Sequence, residues 1–171
     1  MADDEQQQAS KRTKLQYTDV FTVVVGEEEE EFTLHASIAT KYSGFFKAAC
    51  NGGFREAQDK IIHLPDVGPA TFRAYVQWIY SGNVVVVDGE ELRSDDKGDQ
   101  RQWRLIKLYV LGEILSDMLL RNKITDGYRE CCRSNGYGAG PASIGLAYEH
   151  TPAGSTMRKL LLDENAYGFW G

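Results

Sequence analysis

Residues 32–80 read FTLHASIATKYSGFFKAACNGGFREAQDKIIHLPDVGPATFRAYVQWIY, and this stretch decides the fold. A short strand pattern runs directly into apolar residues at helical spacing, and Asn51-Gly52-Gly53 ends that helix because Asn and Gly tolerate the left-handed conformation. The run Ile61–Leu64 is strand-like. Gly68-Pro69 then opens a second helix, since proline fits the first helical position. The predicted order is strand, helical hairpin, strand and helix.

Both predicted helices carry an apolar face, which indicates that each packs against a core. In the first, one continuous face is formed by Leu34, Ile38, Tyr42, Phe45, Phe46 and Ala49. In the second, the predicted buried stripe is Phe72, Tyr75, Val76, Ile79 and Tyr80, and Ser81-Gly82 ends the helix.

These residues resemble the BTB/POZ domain, particularly the form common in filamentous fungi. The matching features are Leu34-His35, SGFFKAAC at 43–50, FREA at 54–57, IHLPD at 62–66 and FRAYVQWIYSG at 72–82. The resemblance implies an α+β fold, with a small, mainly antiparallel sheet flanked by a cluster of α-helices. It divides the chain into a disordered polar tail (1–16), a BTB/POZ domain (17–133) and a C-terminal loop and helical extension (134–171).

Composition excludes several classes of function. The 171 residues suffice for one domain with a real core, and 42% of them are hydrophobic. The net charge of −6 argues against a nucleic-acid partner. The acidic start is unlike a signal peptide, and no apolar run is long enough to span a membrane. Three cysteines are too few for a disulfide framework, so we expect the cytoplasm or the nucleus.

The segments around this core have simpler patterns. The β-branched run Phe21–Gly26 predicts a strand, and the carboxylates of Glu27–Glu31 predict a solvated hairpin turn. Val84–Val87 is a candidate edge strand, and residues 88–102 are predicted to be a polar loop. Trp103–Leu115 is apolar almost all round, which predicts a buried helix.

The C-terminal part predicts further helices. Asp117 is expected to cap a helix with Leu120, Ile124, Tyr128 and Cys131 on one face, and Gly112 to allow close approach of a neighbouring helix. Of the adjacent Cys131 and Cys132, we expect one exposed thiol. Residues 134–141 are predicted to be a loop and residues 148–152 a turn, with a helix over 142–148 between them. A last helix, capped by Ser155, places Met157, Leu160 and Leu161 inward.

The resemblance also implies where partners bind. Its candidates for a dimer interface are Asp19, Val20, His35, Ile38 and Tyr42, although His35 is interpreted first as a structural residue capping the helix start. In the family, the helix ending at Tyr80 and the segment after it line the surface that meets cullin scaffolds of ubiquitin ligases. Val87-Asp88-Gly89-Glu90 resembles, loosely, the hydrophobic-x-Glu element of the cullin-binding relatives, so the cullin-surface candidates are Tyr80, Val87 and Glu90.

The predicted function is therefore a non-enzymatic protein–protein interaction module that forms homo- or hetero-oligomers. The expected arrangement is a homodimer, and the resemblance implies a role as substrate adaptor for a cullin-type ubiquitin ligase. The alternative is a transcription-regulatory scaffold in the nucleus, which rests on the basic cluster Lys11–Lys14. No catalytic residue, metal ligand or cofactor is predicted, because no pattern places a thiol beside a base or supplies a full ligand set.

Overall fold

Three short strands form a mixed sheet in the computed structural model, which describes residues 19–51, 59–85, 97–136 and 138–167. Strand β1 (Val20–Val25) pairs antiparallel with β2 (Glu30–His35) and parallel with β3 (Ile61–Leu64), in the order β2-β1-β3. Gly26, with φ of +77°, opens the acidic turn between β1 and β2. The predicted turn over Glu27–Glu31 is too long, because Glu30 and Glu31 pair with Val25 and Val24 and begin β2. The α+β BTB-type fold is confirmed, with one antiparallel and one parallel pair in its small sheet.

Helices follow the hairpin and surround the sheet. They are α1 (Ala36–Tyr42), α2 (Gly44–Asn51), α3 (Pro69–Ser81), α4 (Lys97–Ile114), α5 (Met118–Asn135), α6 (Pro141–His150) and α7 (Thr156–Tyr167). One hydrophobic core joins the sheet to all of these layers, and Val23, Phe46, Phe72 and Ile106 are fully buried in it.

The apolar face over residues 34–49, which the sequence predicts to be continuous, is divided between the two helices α1 and α2. Ser43 has an extended backbone and separates α1 from α2. Its hydroxyl donates a hydrogen bond to the carbonyl oxygen of Leu115 (2.7 Å) and accepts one from the backbone N–H of Phe46 (3.0 Å). The apolar pattern continues across the break because both helices face the same core, so the periodicity alone could not locate it.

Helix α3 begins and ends as predicted, with Pro69 at its start and Gly82 in the left-handed conformation after its end (φ +71°). Phe72, Tyr75 and Ile79 are buried, and Val76 is partly buried. The prediction was wrong for Tyr80, which is 44% exposed, and it omitted Trp78, which is buried.

Two predictions around α4 were wrong. The helix begins at Lys97, so the last six residues of the predicted loop over 88–102 are helical. Gln102 is fully buried there, because helical geometry carries its polar side chain inward. Val84 and Val85 are not in a strand, whereas residues 86–96 lie outside the described part of the chain.

Helices α4 and α5 meet as the sequence predicts. The carboxylate of Asp117 accepts a hydrogen bond from the backbone N–H of Leu120 (2.9 Å), which caps α5. A methyl group on Gly112 would lie 3.0 Å from Cγ of Arg121, so the two helices approach closely at this glycine. The predicted face of Leu120, Ile124, Tyr128 and Cys131 is buried, but Cys132 is buried too, so the expected exposed thiol is wrong.

Helices α6 and α7 pack on this pair, α6 against α4 and α7 against α5. Helix α5 runs to Asn135 and α6 begins at Pro141, so the predicted loop over 134–141 is shorter than expected, whereas the turn predicted over 148–152 lies later, between His150 and Thr156. Ser155 Oγ accepts from the backbone N–H of Arg158 (3.4 Å), and Met157, Leu160 and Leu161 point inward, as predicted. Within the described residues, no helix is long and apolar enough to cross a membrane.

Candidate protein-interaction surfaces

Three of the dimer-interface candidates meet where β1 begins and β2 ends. Val20 pairs with His35 in the strand register, and the carbonyl oxygen of Asp19 accepts a hydrogen bond from the backbone N–H of Ala36 (2.9 Å). Val20 and Asp19 are exposed and His35 is partly exposed. The hairpin therefore presents these three residues together, because its register fixes both of its open ends at one place.

Tyr80 reaches the same place from the end of α3. Its hydroxyl oxygen lies 2.7 Å from Nδ1 of His35 and accepts a hydrogen bond from the backbone N–H of His35 (3.1 Å). The two rings meet edge to face, with centroids 5.9 Å apart. His35 occupies the N-cap position of α1 as expected, but its side chain makes no capping hydrogen bond and contacts Tyr80 instead.

Lys60 completes this group, and no sequence pattern pointed to it. Its ammonium Nζ lies 2.7 Å from Oδ1 of Asp19, and both side chains are well exposed. The backbone carbonyl of Lys60 accepts a hydrogen bond from the N–H of Thr22, so the parallel pairing of β3 with β1 places it there. We call the set of Asp19, Val20, His35, Lys60 and Tyr80 the edge surface.

The other candidates lie elsewhere. Ile38 is partly buried against the core, and Tyr42 contacts the ring of Trp78 at the far end of α1 (centroids 5.9 Å apart). Val87, Glu90 and the basic cluster Lys11–Lys14 lie outside the described residues. The structure thus brings together Asp19, Val20 and His35 from the dimer-interface candidates. It places Tyr80, a cullin-surface candidate, beside them.

The thiols have environments that disfavour the thiolate form. Burial, and then the charge of Asp19, raise the pKa of Cys50, which is half-buried beside the edge surface. Burial raises the pKa of Cys132 to about 11. Among the described residues, no three His, Cys, Asp or Glu side chains are grouped so that they could hold a metal ion.

Comparisons with known proteins agree with this architecture. The profile of the BTB/POZ domain matches residues 7–95, and the chain belongs to this family. In the mouse, "Kelch repeat and BTB domain-containing protein 4" is 30% identical over 111 residues, which are 65% of this chain and 17% of that protein. The human protein of that name is 34% identical over 62 residues (36% of this chain, 12% of the relative).

A second human relative, "Kelch repeat and BTB domain-containing protein 2", is 29% identical over 72 residues, which are 42% of this chain and 11% of that protein. The chain therefore spans less than a fifth of the length of these curated relatives. The domain itself is a protein–protein interaction module in this family.

Proposed function

We propose that this chain is a non-enzymatic interaction module that associates with a second copy through Asp19, Val20 and Lys60 of the edge surface, and that the adjoining Tyr80 stays free to contact a cullin, so that the module serves as a substrate adaptor for a cullin-type ubiquitin ligase. The observation that carries the proposal is the position of Tyr80, a residue that is 44% exposed while its hydroxyl oxygen lies 2.7 Å from Nδ1 of His35. An exposed aromatic side chain that is already ordered loses little entropy on binding, and Tyr is enriched among the residues that dominate binding energy.

Self-association is supported by the composition of the edge surface. Val20 offers exposed apolar area, and Asp19 and Lys60 offer one charge of each sign to solvent. In a two-fold interface every contact between two different residues is made twice, so a contact between Asp19 of one copy and Lys60 of the other would form two ion pairs. Charge complementarity of this kind fixes the register of an interface more than it adds affinity.

The adaptor role is supported by sequence. Cullin-binding members of the family carry a hydrophobic-x-Glu element. Phe54-Arg55-Glu56 has that spacing, whereas Val87-Asp88-Gly89-Glu90 matches it only loosely. In the sequence, FREA at 54–57 was used only as a feature of the BTB/POZ domain, so Phe54-Arg55-Glu56 was not identified as a cullin-binding candidate. Both segments lie outside the described residues, so their role stays a prediction. The assignment to the fungal form of the family is also still a prediction.

A non-enzymatic role is supported by the thiols. The thiolate is the reactive form of cysteine, and burial raises the pKa of Cys50 and Cys132. A general thiol reagent should therefore modify the native protein slowly. One fast-reacting cysteine at neutral pH would contradict the proposal.

Self-association is tested by light scattering on the purified chain across a range of concentrations. We expect a dimer mass for the wild type and a monomer mass for Val20→Asp, because the introduced carboxylate is left unpaired beside Asp19. The matched control is Leu162→Asp, since Leu162 is an exposed apolar residue on α7. A wild-type monomer at all concentrations, or loss of the dimer in both variants, would refute the edge surface as the interface.

Cullin binding is tested by calorimetric titration with the amino-terminal region of a cullin. We expect micromolar affinity, with a clear loss for Tyr80→Ala and for the pair Phe54→Ala and Glu56→Ala. The variant Val87→Ala distinguishes the second candidate element from the first. If a folded dimer releases no heat with the cullin, self-association remains and the adaptor role is wrong.

A further inference from the structure

Two contacts join the hydroxyl of Tyr80 to His35 at the surface of the protein. The hydroxyl oxygen accepts a hydrogen bond from the backbone N–H of His35 (3.1 Å) and lies 2.7 Å from the ring nitrogen Nδ1 of the same residue. Tyr80 is 44% exposed, so a binding partner can reach this side chain. The direction of the contact with Nδ1 decides whether the hydroxyl offers a partner its hydrogen or its lone pair.

The chemistry of the two groups assigns that direction. A neutral imidazole has one nitrogen that donates and one that accepts, and a phenolic hydroxyl can do either. The oxygen of Tyr80 already accepts the backbone N–H of His35, and a phenolic oxygen is a weaker acceptor than an imidazole nitrogen. The hydroxyl therefore donates to Nδ1, and the neutral ring of His35 carries its proton on Nε2.

In this arrangement the hydroxyl has no hydrogen left for a partner. Its hydrogen is directed at His35, whereas its oxygen still has a lone pair, and a hydroxyl that donates a hydrogen bond becomes a better acceptor. A partner group that meets Tyr80 is satisfied only if it donates. A carboxylate or a carbonyl oxygen at the same place would be left without a hydrogen bond, which is costly when the contact is buried.

Protonation of His35 reverses this polarity. Imidazole is the side chain that ordinarily changes charge between pH 5 and 8, and its protonated form donates from both nitrogens. Nδ1 then donates to the oxygen of Tyr80 beside the backbone N–H, and the hydroxyl hydrogen turns towards solvent. A donor of the partner would now face a second donor.

The charged groups on the elements around His35 are paired with one another. At the start of β1, the carboxylate of Asp19 lies 2.7 Å from the ammonium group of Lys60, which precedes β3. At the other end of β2, Glu30 is paired with Arg73 of α3 (2.7 Å), and the first turn of α1 carries no acidic residue. These pairs persist when the ring takes up a proton, whereas the contact with Tyr80 has to rearrange.

We propose that His35 is a positioning residue that makes Tyr80 select a hydrogen-bond donor on the partner at neutral pH, such as a Lys, an Arg or an amide N–H, and reject a carboxylate. The inference rests on the proposed contact between Tyr80 and a cullin, and it names the chemistry of the group that the cullin presents there. It also makes that contact sensitive to pH, because protonation of His35 removes the selected partner's acceptor.

The proton on His35 is located first, by proton–nitrogen NMR of the histidine rings in the full chain. At about pH 7.5 we expect the ring proton on Nε2, with the His35 signals identified by their loss in His35→Asn. A proton on Nδ1 at this pH would overturn the proposal whether or not a cullin binds, because the hydroxyl hydrogen of Tyr80 would then already be free.

Calorimetric titration with the amino-terminal region of a cullin then compares about pH 7.5 with about pH 5.5. The affinity of the wild type should fall at least about tenfold, the usual effect of one hydrogen-bonding group left unpaired. In His35→Asn it should change by less than about twofold, since the amide oxygen can accept from Tyr80 but takes up no proton. His35→Ala has no acceptor for the hydroxyl and should bind weakly at both pH values.

His63→Asn is the matched control. His63 is exposed and pairs with Val24, four residues along β1 from the Val20–His35 pair and about 13 Å away, so this variant should keep the pH dependence of the wild type. Light scattering checks that every variant keeps the wild-type mass in solution.

The outcomes separate this inference from the proposed function. An equal fall of affinity in the wild type and in His35→Asn would overturn the role of His35 and leave the adaptor role intact. No heat with the cullin at neutral pH would refute the adaptor role, and the donor assigned to the cullin would fall with it. The NMR measurement decides the direction of the bond between His35 and Tyr80 in either case.

Discussion

Phe46 packs between the sheet and the helices. Its ring is fully buried and contacts the rings of Phe21 and Tyr75, with centroids 5.3 and 6.3 Å away. The strand β1 and the helix α3 are thus both in contact with one side chain of α2. The neighbouring Phe45 packs on the core from a partly exposed position.

We expect Phe46→Ala to lower the free energy of unfolding by about 3–5 kcal/mol, because it removes buried area and leaves a cavity. That is a large part of the total stability of an ordinary domain, about 5–15 kcal/mol. Phe45→Ala is the matched control and should cost clearly less. Urea unfolding followed by circular dichroism measures both, and equal losses would show that Phe46 has no special place in the core.

Asp117 is the second residue whose environment allows a specific prediction. Burial raises the pKa of its carboxyl group, while hydrogen bonds from the backbone N–H of Leu120 and from Nε1 of Trp78 oppose the shift. Because the folded state binds the proton more tightly than the unfolded chain does, this group's contribution to stability is complete below its unfolded pKa. The contribution is lost as the pH rises through the folded pKa.

Asp117→Asn should lower the free energy of unfolding at pH 7 by about 1–3 kcal/mol, because the amide N–H group cannot accept the hydrogen bond of the buried Trp78. As the pH falls from 7 towards 4, the wild type should gain stability relative to the variant, which has no proton to bind there. Urea midpoints of both proteins at several pH values measure the difference. A gap that narrows on acidification would reverse the sign assigned to this carboxyl.

Contacts between distant residues are what the sequence could not predict at this scale. The hydroxyl of Tyr80 meets His35 across 45 positions, and Lys60 meets Asp19 across 41. The helical spacing of apolar residues assigned Tyr80 to the buried stripe, because a Tyr at such a position is usually part of the core. Its exposed position beside His35 depends on how α3 packs at the end of β2, which no local pattern encodes.

At the scale of elements, strong periodicity and caps predicted most helices and strands. Pro69, Gly82, Asp117 and Ser155 begin or end helices where expected, since their backbone or side-chain chemistry is local. The failures came from tertiary packing. Helix α4 includes the last six residues of the polar segment 88–102, and the polar side chain of Gln102 is buried there. Ser43 divides α1 from α2, and its hydroxyl donates a hydrogen bond to the carbonyl oxygen of Leu115.

The pair Gly112 and Gly127 tests the packing of α4 on α5. Gly112→Leu should lower the free energy of unfolding by about 1–3 kcal/mol, because a side chain there overlaps Arg121 and Leu120. Gly127→Ala should raise it by about 0.5–1 kcal/mol, since nothing lies within 4 Å of the added methyl and alanine favours the helix. Thermal unfolding of both variants checks the opposite signs. A loss in both would mean that α5 needs glycine for its conformation.

At the scale of the whole molecule, the expected boundary at residue 133 does not coincide with a boundary of the core. Ala147, Met157, Leu160 and Leu161 are buried in the same cluster as the sheet and α3. The C-terminal residues were predicted to be an extension because the family resemblance weakens there. Their apolar pattern, with Met157, Leu160 and Leu161 at helical spacing, was the signal that they pack inward.

We therefore expect the chain 1–136 to lose the cooperative unfolding of the full chain. Removing α7 alone withdraws three buried side chains worth about 1.5–3 kcal/mol each, a sum comparable to a domain's whole stability. The truncation removes α6 as well as α7, which uncovers the apolar faces of α4 and α5, so the truncated chain should bind a hydrophobic dye. Thermal unfolding and dye fluorescence measure both effects.

The full-length variant with Met157, Leu160 and Leu161 all changed to Ser separates packing from chain length. It should behave like the truncated chain, whereas Leu162→Ser, on the exposed side of α7, should unfold like the wild type. If the chain 1–136 unfolds cooperatively within a few degrees of the full chain, α6 and α7 are an addition to a domain that is complete without them. If it fails together with the triple variant, the interaction module requires its C-terminal helices to fold, and the edge surface depends on them.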